Sequence, residues 1–382
     1  MKTFNWKSEV QSNILALKLL GLWPKGDETY KRNSYTLYAS FCFFVLNCGH
    51  NFFQTVNIYF ILDDLEAFTS SIFVTLSCVG TILKCYGLIQ NMENLKQLFV
   101  TITGEIFQPK GEKQQKLVEP SVKFWSRIYL LFRITCYFTA FFWSTYPILD
   151  KSFRVRRLPF LSWYPYNVKV SPFYEFTYMY QVVSIWYIVA ASLNIDCLIA
   201  ALNMFIGAQC DILCDDLRNL VATNGKELKE KLVRCVIHHK AILSLAEKSN
   251  KFYNWIVLFQ FFTSAVSLGF SMFQLTIVVP LSSEFYSFIC YATSMIVEIF
   301  IYCWFGNEVE IKSSIIPYAA FQSTWVGLPT EIQKILITFT LRTQRPIKMS
   351  ALNLFYLSLD TFKSILRTSW SYFTVLHQAN ST

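Results

Sequence analysis

The feature that leaves this chain the fewest folding options is a succession of apolar runs, each long enough to cross a bilayer. About 17–25 residues rising 1.5 Å each span ~30 Å of hydrocarbon. Runs of this kind occupy 35–62, 67–90, 126–149, 176–205, 252–279 and 285–305, and a seventh, more polar one occupies 346–376. Backbone groups in lipid must be satisfied within their own segment, so the expected fold is an all-α membrane protein with seven transmembrane helices. Composition agrees: 53% of residues are hydrophobic and 15% charged, against roughly 25% charged in a soluble domain.

Orientation follows from the cations, because Lys and Arg flanking a span resist translocation. Of 34 Lys and Arg, 23 fall in 1–34, 91–125, 207–251 and 306–345, on the side of the amino terminus, and five fall on the other side, all in 150–175. The amino terminus is therefore predicted cytoplasmic and the carboxyl terminus extracellular. The start of the chain shows no apolar stretch followed by a small-residue cleavage site, so it is expected to be retained. The formal charge of +9 is never gathered into a block of five or six basic residues, so lipid and not nucleic acid is the expected surrounding.

Enzymatic signatures are absent. There is no His-Glu-x-x-His and no Gly-x-Ser-x-Gly, and Gly21-x4-Gly26 is followed by Asp27 where a phosphate loop needs Lys. No cofactor is expected. Cys210, Cys214, His238 and His239 have zinc-type side chains, but ordinary packing is the simpler reading. All eleven cysteines lie in spans or on the predicted cytoplasmic side, which fits a reduced compartment. A G-protein-coupled receptor would have the opposite orientation and an Asp-Arg-Tyr and Asn-Pro-x-x-Tyr that this chain lacks. An inverted-repeat transporter gains nothing from a sequence without internal repeats.

Apolar periodicity continues outside the spans. In 207–251 it runs through Leu217, Leu220, Leu228, Leu232 and Val236, with a break at Asn224-Gly225. In 311–345 it runs through Ile311, Ile315, Phe321, Trp325, Ile332, Leu336 and Phe339, punctuated by Gly327-Leu328-Pro329. Both segments read as cytoplasmic helices whose apolar faces need a partner. Within the spans, Lys84, Arg133 and Asp196 fall at similar depth, ~24–30 Å from the outer ends at 1.5 Å per residue. They are candidates for an ion pair from Asp196 to Lys84 or Arg133, with snorkelling of the two cations as the alternative. The last span carries a polar stripe at near-helical spacing, Asn353, Asp360, Ser364, Arg367, Thr368, Ser371 and Gln378, with Val375 on the same face. Lipid cannot solvate that face. It lines either a pore, with Val375 as an apolar gate, or a polar seam within one subunit.

The carboxyl-terminal residues carry a family resemblance. Tyr302-Cys303-x-Phe305-Gly306-Asn307-Glu308, Trp325, Lys334, Arg342-x-Gln344-Arg345-Pro346 and Leu366-Arg367-Thr368-Ser369-Trp370-Ser371-Tyr372-Phe373-Thr374 resemble the signature of insect odorant receptors. Trp370 stands where that family often has Tyr. The chain lacks the long insertion between the fourth and fifth spans of the shared co-receptor, and so resembles an odorant-tuning subunit. It also lacks the Thr-Tyr…Gln-Phe ending of the related gustatory receptors.

The resemblance implies an odorant-gated, non-selective cation channel, a heterotetramer with the odorant receptor co-receptor in the plasma membrane of olfactory sensory neurons. It divides the chain into a cytoplasmic segment 1–34, six spans over 35–310 holding the ligand pocket, anchor helices in 207–251 and 311–345, and a pore-lining helix and external tail over 346–382. Pro346 would open that last helix. The gate maps to Val375, with Ser371, Gln378 and Ala379 beside it. The ligand, a small volatile molecule, would sit in the outer halves of the second, third, fourth and sixth spans. Depth and helical face select Ser71, Val74, Thr139, Trp143, Tyr178, Gln181, Ile185, Phe288 and Tyr291 as contacts, each equally readable as core packing.

Overall fold

The computed structural model describes residues 6–26, 30, 33–220, 225–323 and 329–381. A short amino-terminal helix α1 (Gln11–Leu19) precedes α2, which runs unbroken as Ser34–Phe41, a π-helical stretch Cys42–Gly49 and His50–Phe60. There follow α3 (Leu65–Gln90), α4 (Met92–Ile102), α5 (Gly111–Leu149), α6 (Phe173–Arg218), α7 (Gly225–Ile277), α8 (Ser283–Phe321) and α9 (Thr330–Thr343). A hairpin, β1 (Ser350–Ala351) and β2 (Phe355–Tyr356), leads into α10 (Leu359–Ser381).

Local chemistry sets the helix starts. Asn33, Asp64 and Ser282 accept hydrogen bonds from the backbone N–H of Thr36, Ala67 and Phe285 at 2.8, 3.0 and 3.1 Å, satisfying otherwise orphaned donors at the starts of α2, α3 and α8. The π-helical stretch has an identifiable cause. Tyr180 from α6 donates to the Val45 carbonyl at 2.7 Å, drawing an acceptor out of the regular ladder. Its hydroxyl lies 2.9 Å from where a Cβ on Gly49 would stand, so glycine is what admits it.

Helix α6 is the axis of the bundle. Every residue from Leu193 to Cys210 is buried, the polar Asn194, Asp196, Asn203 and Gln209 included, because other helices enclose this stretch on all sides. Helices α3, α5, α7 and α8 pack around it. The amino-terminal segment belongs to the same core: Trp6, Val10, Ile14 and Leu17 are buried, Trp6 donates to the Phe107 carbonyl at 3.1 Å, and Asn13 donates to the Asn194 carbonyl at 3.0 Å.

Among the described residues, four helices are long and apolar enough to cross a membrane: Ala67–Gln90 within α3, then α6, α7 and α8. The first, third and seventh predicted spans coincide with parts of α2, α5 and α10. The seventh begins later than the sequence implied. Pro346 does not open a helix, because 346–358 forms the hairpin. Leu352 and Asn353 take positive φ (50° and 57°) to make its turn. Side chains of other helices hold its backbone: the Ile347 N–H donates to Ser313 at 2.9 Å, and the Ser350 N–H donates to Asn250 at 2.9 Å. Asn353 thus leaves the polar helical stripe and bonds Ser350 at 3.0 Å.

At the end of the bundle rich in basic residues, α5, α6, α7, α8 and α9 extend as a second packed layer. Lys312 bridges Asp211 at 2.7 Å and Ser121 at 2.8 Å, Lys110 pairs with Asp216 at 2.7 Å, and Gln114 donates to Asp216 at 2.8 Å. Much of the apolar pattern of 207–251 is covered within the chain, with Leu217, Leu220, Leu228 and Leu232 buried and Val236 half-buried. Helices α8 and α9 differ, leaving Ile311, Ile315, Tyr318, Phe321, Ile337 and Leu341 exposed. Trp325 and Gly327-Leu328 lie outside the described residues. All eleven cysteines are free.

Candidate ligand cavity and channel helix

A cavity of about 100 Å³ lies between α3, α5, α6 and α8. Each helix presents one face to it by steps of three and four residues: Val74, Ser77 and Thr81; Phe132, Cys136, Thr139 and Trp143; Ile185, Ile188 and Ser192; Tyr291 and Ser294. The walls are chiefly apolar and aromatic, and the polar groups among them are tied to one another. Tyr291 shares a hydrogen bond with Ser77 at 2.6 Å, and Thr139 shares one with Ser294 at 2.8 Å. Its roof comes from the 150–172 loop. Phe160 stacks on Trp143 with ring centroids 5.5 Å apart and planes 19° apart. Gln181 fixes that loop from α6, accepting from the Phe160 N–H at 3.1 Å and donating to the Phe160 carbonyl at 3.0 Å.

The floor of the cavity is ionic. Asp196 and Glu298 line it, and Lys84 reaches both, at 2.8 and 2.6 Å. Lys84 also donates to Ser192 at 2.9 Å, and Tyr302 donates to Asp196 at 2.5 Å. All three charged side chains are at most 3% exposed. One ammonium therefore holds two carboxyl groups, joining α3, α6 and α8 beneath the cavity. Arg133 has no part in this cluster; its guanidinium lies over the Tyr129 ring at 5.4 Å.

Of the nine residues expected to meet ligand, Val74, Thr139, Trp143, Ile185 and Tyr291 line this cavity. Ser71 and Phe288 line a smaller neighbouring chamber, which Val74 and Trp143 also border. Tyr178 and Gln181 are occupied elsewhere, Tyr178 donating to the Ser144 carbonyl at 2.6 Å and Gln181 holding the Phe160 loop. Sequence reasoning missed Phe160, which only the return of an external loop brings to the cavity. It also missed Glu298, although an acid in the middle of the sixth span is the signal that would have found it.

Helix α10 packs along α7. A Cβ on Gly269 would stand 2.7 Å from the Tyr372 Cβ and 3.2 Å from the Ser369 carbonyl, so the close approach of the two backbones depends on that glycine. Ile365 and Ser369 face the rest of the bundle and are buried. The stripe formed by Asp360, Ser364, Arg367, Thr368, Ser371 and Gln378 is exposed, and Val375 on the same face is 64% exposed. Ala379 lies on the helix, and its side chain is outside the described residues.

The zinc-type side chains at the basic end are packed without a cluster: among the described residues no group of three or more His, Cys, Asp and Glu is placed to hold a metal. His238 Nε2 lies 3.0 Å from Gln209 Oε1 and its ring packs edge-on to Phe107. Burial pushes both His238 and His239 down to about 4.

Comparison with known proteins gives a consistent picture. The profile of the family described as "7tm Odorant receptor" matches residues 64–370. The chain is 24% identical to Odorant receptor 46a, isoform A, of Drosophila melanogaster over 96% of each sequence. It is 25% identical to Odorant receptor Or1 of Anopheles gambiae, over 96% of this chain and 94% of that one. The solved structure of the olfactory receptor OR5 from Machilis hrabei in complex with eugenol superposes with a TM-score of 0.87 over 98% of both chains at 18% identity, and the same receptor described without eugenol superposes with a TM-score of 0.83.

Proposed function

This chain belongs to the 7tm odorant receptor family, and on that premise we propose that it is a subunit of an odorant-gated, non-selective cation channel. The ligand is a small volatile molecule held in the cavity between α3, α5, α6 and α8. The pore is shared with the odorant receptor co-receptor in a heterotetramer at the plasma membrane of olfactory sensory neurons. The chain spans the membrane seven times, through α2, α3, α5, α6, α7, α8 and α10, with its basic end in the cytoplasm and the end of α10 outside.

The observation that carries the channel reading is the exposed polar stripe of α10. A helix in lipid does not turn Asp360, Arg367 and Gln378 outward unless water or protein solvates them. Around a shared axis these residues meet water, and the Val375 side chains of several subunits form an apolar ring that closes by dewetting. The uncovered apolar residues of α8 and α9 support assembly at the cytoplasmic end.

Opening requires that ligand favour the open state, since equal affinity for both states shifts nothing. The cavity touches α8 and the ionic floor, and α10 rests on α7 and, through Leu357, on Gly306 of α8. A ligand that repositions α8 therefore bears on the base of the pore helix. The test is recording from cells that express the chain with a co-receptor. Val375→Ser should raise basal current at unchanged surface expression. A normally trafficked mutant channel with wild-type basal current would falsify the gate. Odorant-evoked current in excised patches without nucleotide separates a channel from a metabotropic receptor.

A further inference from the structure

Beside the main cavity, toward the 150–172 loop, lies a second chamber of about 40 Å³, walled by Gln54 of α2, Ser71 of α3, Trp143 of α5 and Phe288 of α8, and by Arg157 and Glu284, which pair with each other at 3.2 Å. Val74, Trp143 and Phe160 border both spaces. Three residues of its wall carry a buried polar atom without a hydrogen-bond partner: Gln54 Oε1, Ser71 Oγ and Trp143 Nε1. Their residues are 3, 8 and 7% exposed. Buried polar groups are nearly always paired, and leaving them unpaired is costly, so this concentration in one chamber marks a site built for something polar.

The donor and acceptor pattern specifies what. The Gln54 carbonyl only accepts, the Trp143 indole N–H only donates, and the Ser71 hydroxyl does either. A ligand that answers both Gln54 and Trp143 must both donate and accept a hydrogen bond. A hydroxyl does this. An ether, ester or ketone oxygen offers no proton to Gln54, and an ammonium offers no lone pair to Trp143.

We propose that this chamber is the head-group subsite of the receptor and that it selects hydroxyl-bearing odorants, alcohols or phenols, whose apolar part lies in the main cavity past Val74, Trp143 and Phe160. The proposal rests on the reading of the main cavity as the odorant site. Without ligand, water meets the same requirement, and the chamber is roomy enough for it. An alcohol displaces that water and reproduces its hydrogen bonds, whereas a matched ether reproduces only some of them.

The test compares alkan-1-ols of about six to nine carbons with methyl ethers of matched length, by the concentration dependence of the melting temperature of the detergent-solubilised full chain. Wild type should bind the alcohol at least about tenfold more tightly, the scale set by one unpaired buried group. Gln54→Leu should bring the ratio near one, with Gln54→Met as the substitute if the first does not fold. Trp143→Phe should weaken alcohol and ether alike, since both accept from its N–H. Equal affinity for ether and alcohol in wild type, a preference that survives loss of Gln54, or no alcohol binding at all overturns the subsite and leaves the chamber as a water site only. Currents from co-receptor-expressing cells tell the two readings apart. A receptor opened by other odorants without any hydroxyl preference loses the subsite alone, and a receptor that binds alcohols but passes no current loses the channel reading alone.

Discussion

Replacing Lys84 by Met tests the physical logic of the cavity floor most directly. Met fills much of the volume of the lysine stem but removes the one cation that Asp196 and Glu298 share, at 2.8 and 2.6 Å. It also takes the donor from Ser192 at 2.9 Å. Both carboxyl groups stay where they are, at most 3% exposed, and the Tyr302 hydroxyl on Asp196 becomes their remaining strong donor. Breaking a buried ion pair by removing one partner costs about 3–5 kcal/mol, because the other charge is left without compensation. Here one substitution strands two acids, which places the expected loss at the upper end and lowers the folded population ratio on the order of 10³–10⁴-fold. Surface expression should fall steeply, and the melting temperature of the solubilised chain should drop. The decisive arm is the triple variant Lys84→Met, Asp196→Asn, Glu298→Gln. Neutral amides of the same shape keep hydrogen-bonding capacity without a stranded charge, so most of the lost stability should return. A single variant as stable as wild type, or a triple variant no better than the single, refutes the argument that electrostatic pairing holds α3, α6 and α8 together here.

Three further outcomes follow from particular contacts. Gly306→Ala places a methyl against Leu357, whose backbone cannot give way as a flexible side-chain tip would. It should cost about 1–3 kcal/mol by overpacking, read as a lower melting temperature together with altered gating, since Leu357 precedes the start of α10. Gln181→Leu frees the Phe160 backbone from both of its hydrogen bonds. The roof over Trp143 should loosen, with faster proteolysis of the 150–172 loop and a right-shifted odorant response at near-normal maximal current. The third concerns pH at the basic end. His238 and His239 sit at about 4 when folded, against about 6.5 in the unfolded chain. The unfolded state therefore binds more protons between those values, and stability is lost as pH falls from about 6.5 toward 4. Chemical-denaturation midpoints measured across that window should decline, and the decline should flatten in the double variant His238→Gln, His239→Gln.

Much of the architecture was legible because lipid imposes a one-dimensional rule. A long apolar run must become a helix whatever surrounds it, so α3, α6, α7 and α8 could be read from composition alone, and the helical segments beyond those runs from periodicity. The faces of those helices were legible too: steps of three and four residues sent Val74, Thr139, Trp143, Ile185 and Tyr291 to one cavity. The same rule explains the misses. Nothing local in 346–358 forbids a helix after Pro346. The hairpin exists because Ser313 and Asn250, on other helices, offer hydrogen bonds to its backbone and Gly306 leaves room for Leu357. Gln181 lies on a cavity-facing register yet serves the Phe160 backbone, a partner supplied by a loop with no periodicity to announce it.

The chain by itself thus determined that it would be a helical bundle of lipid-spanning length, which side of each helix would be apolar, and which end would be basic. These properties depend on spacing along one strand of covalent structure. Tertiary packing decided that one lysine would hold two acids, that Trp143, Ser71 and Gln54 would share a chamber, and where the last helix would begin. Each of those depends on distances of a few ångströms between residues far apart in sequence, and such distances come into being only when the helices close on one another.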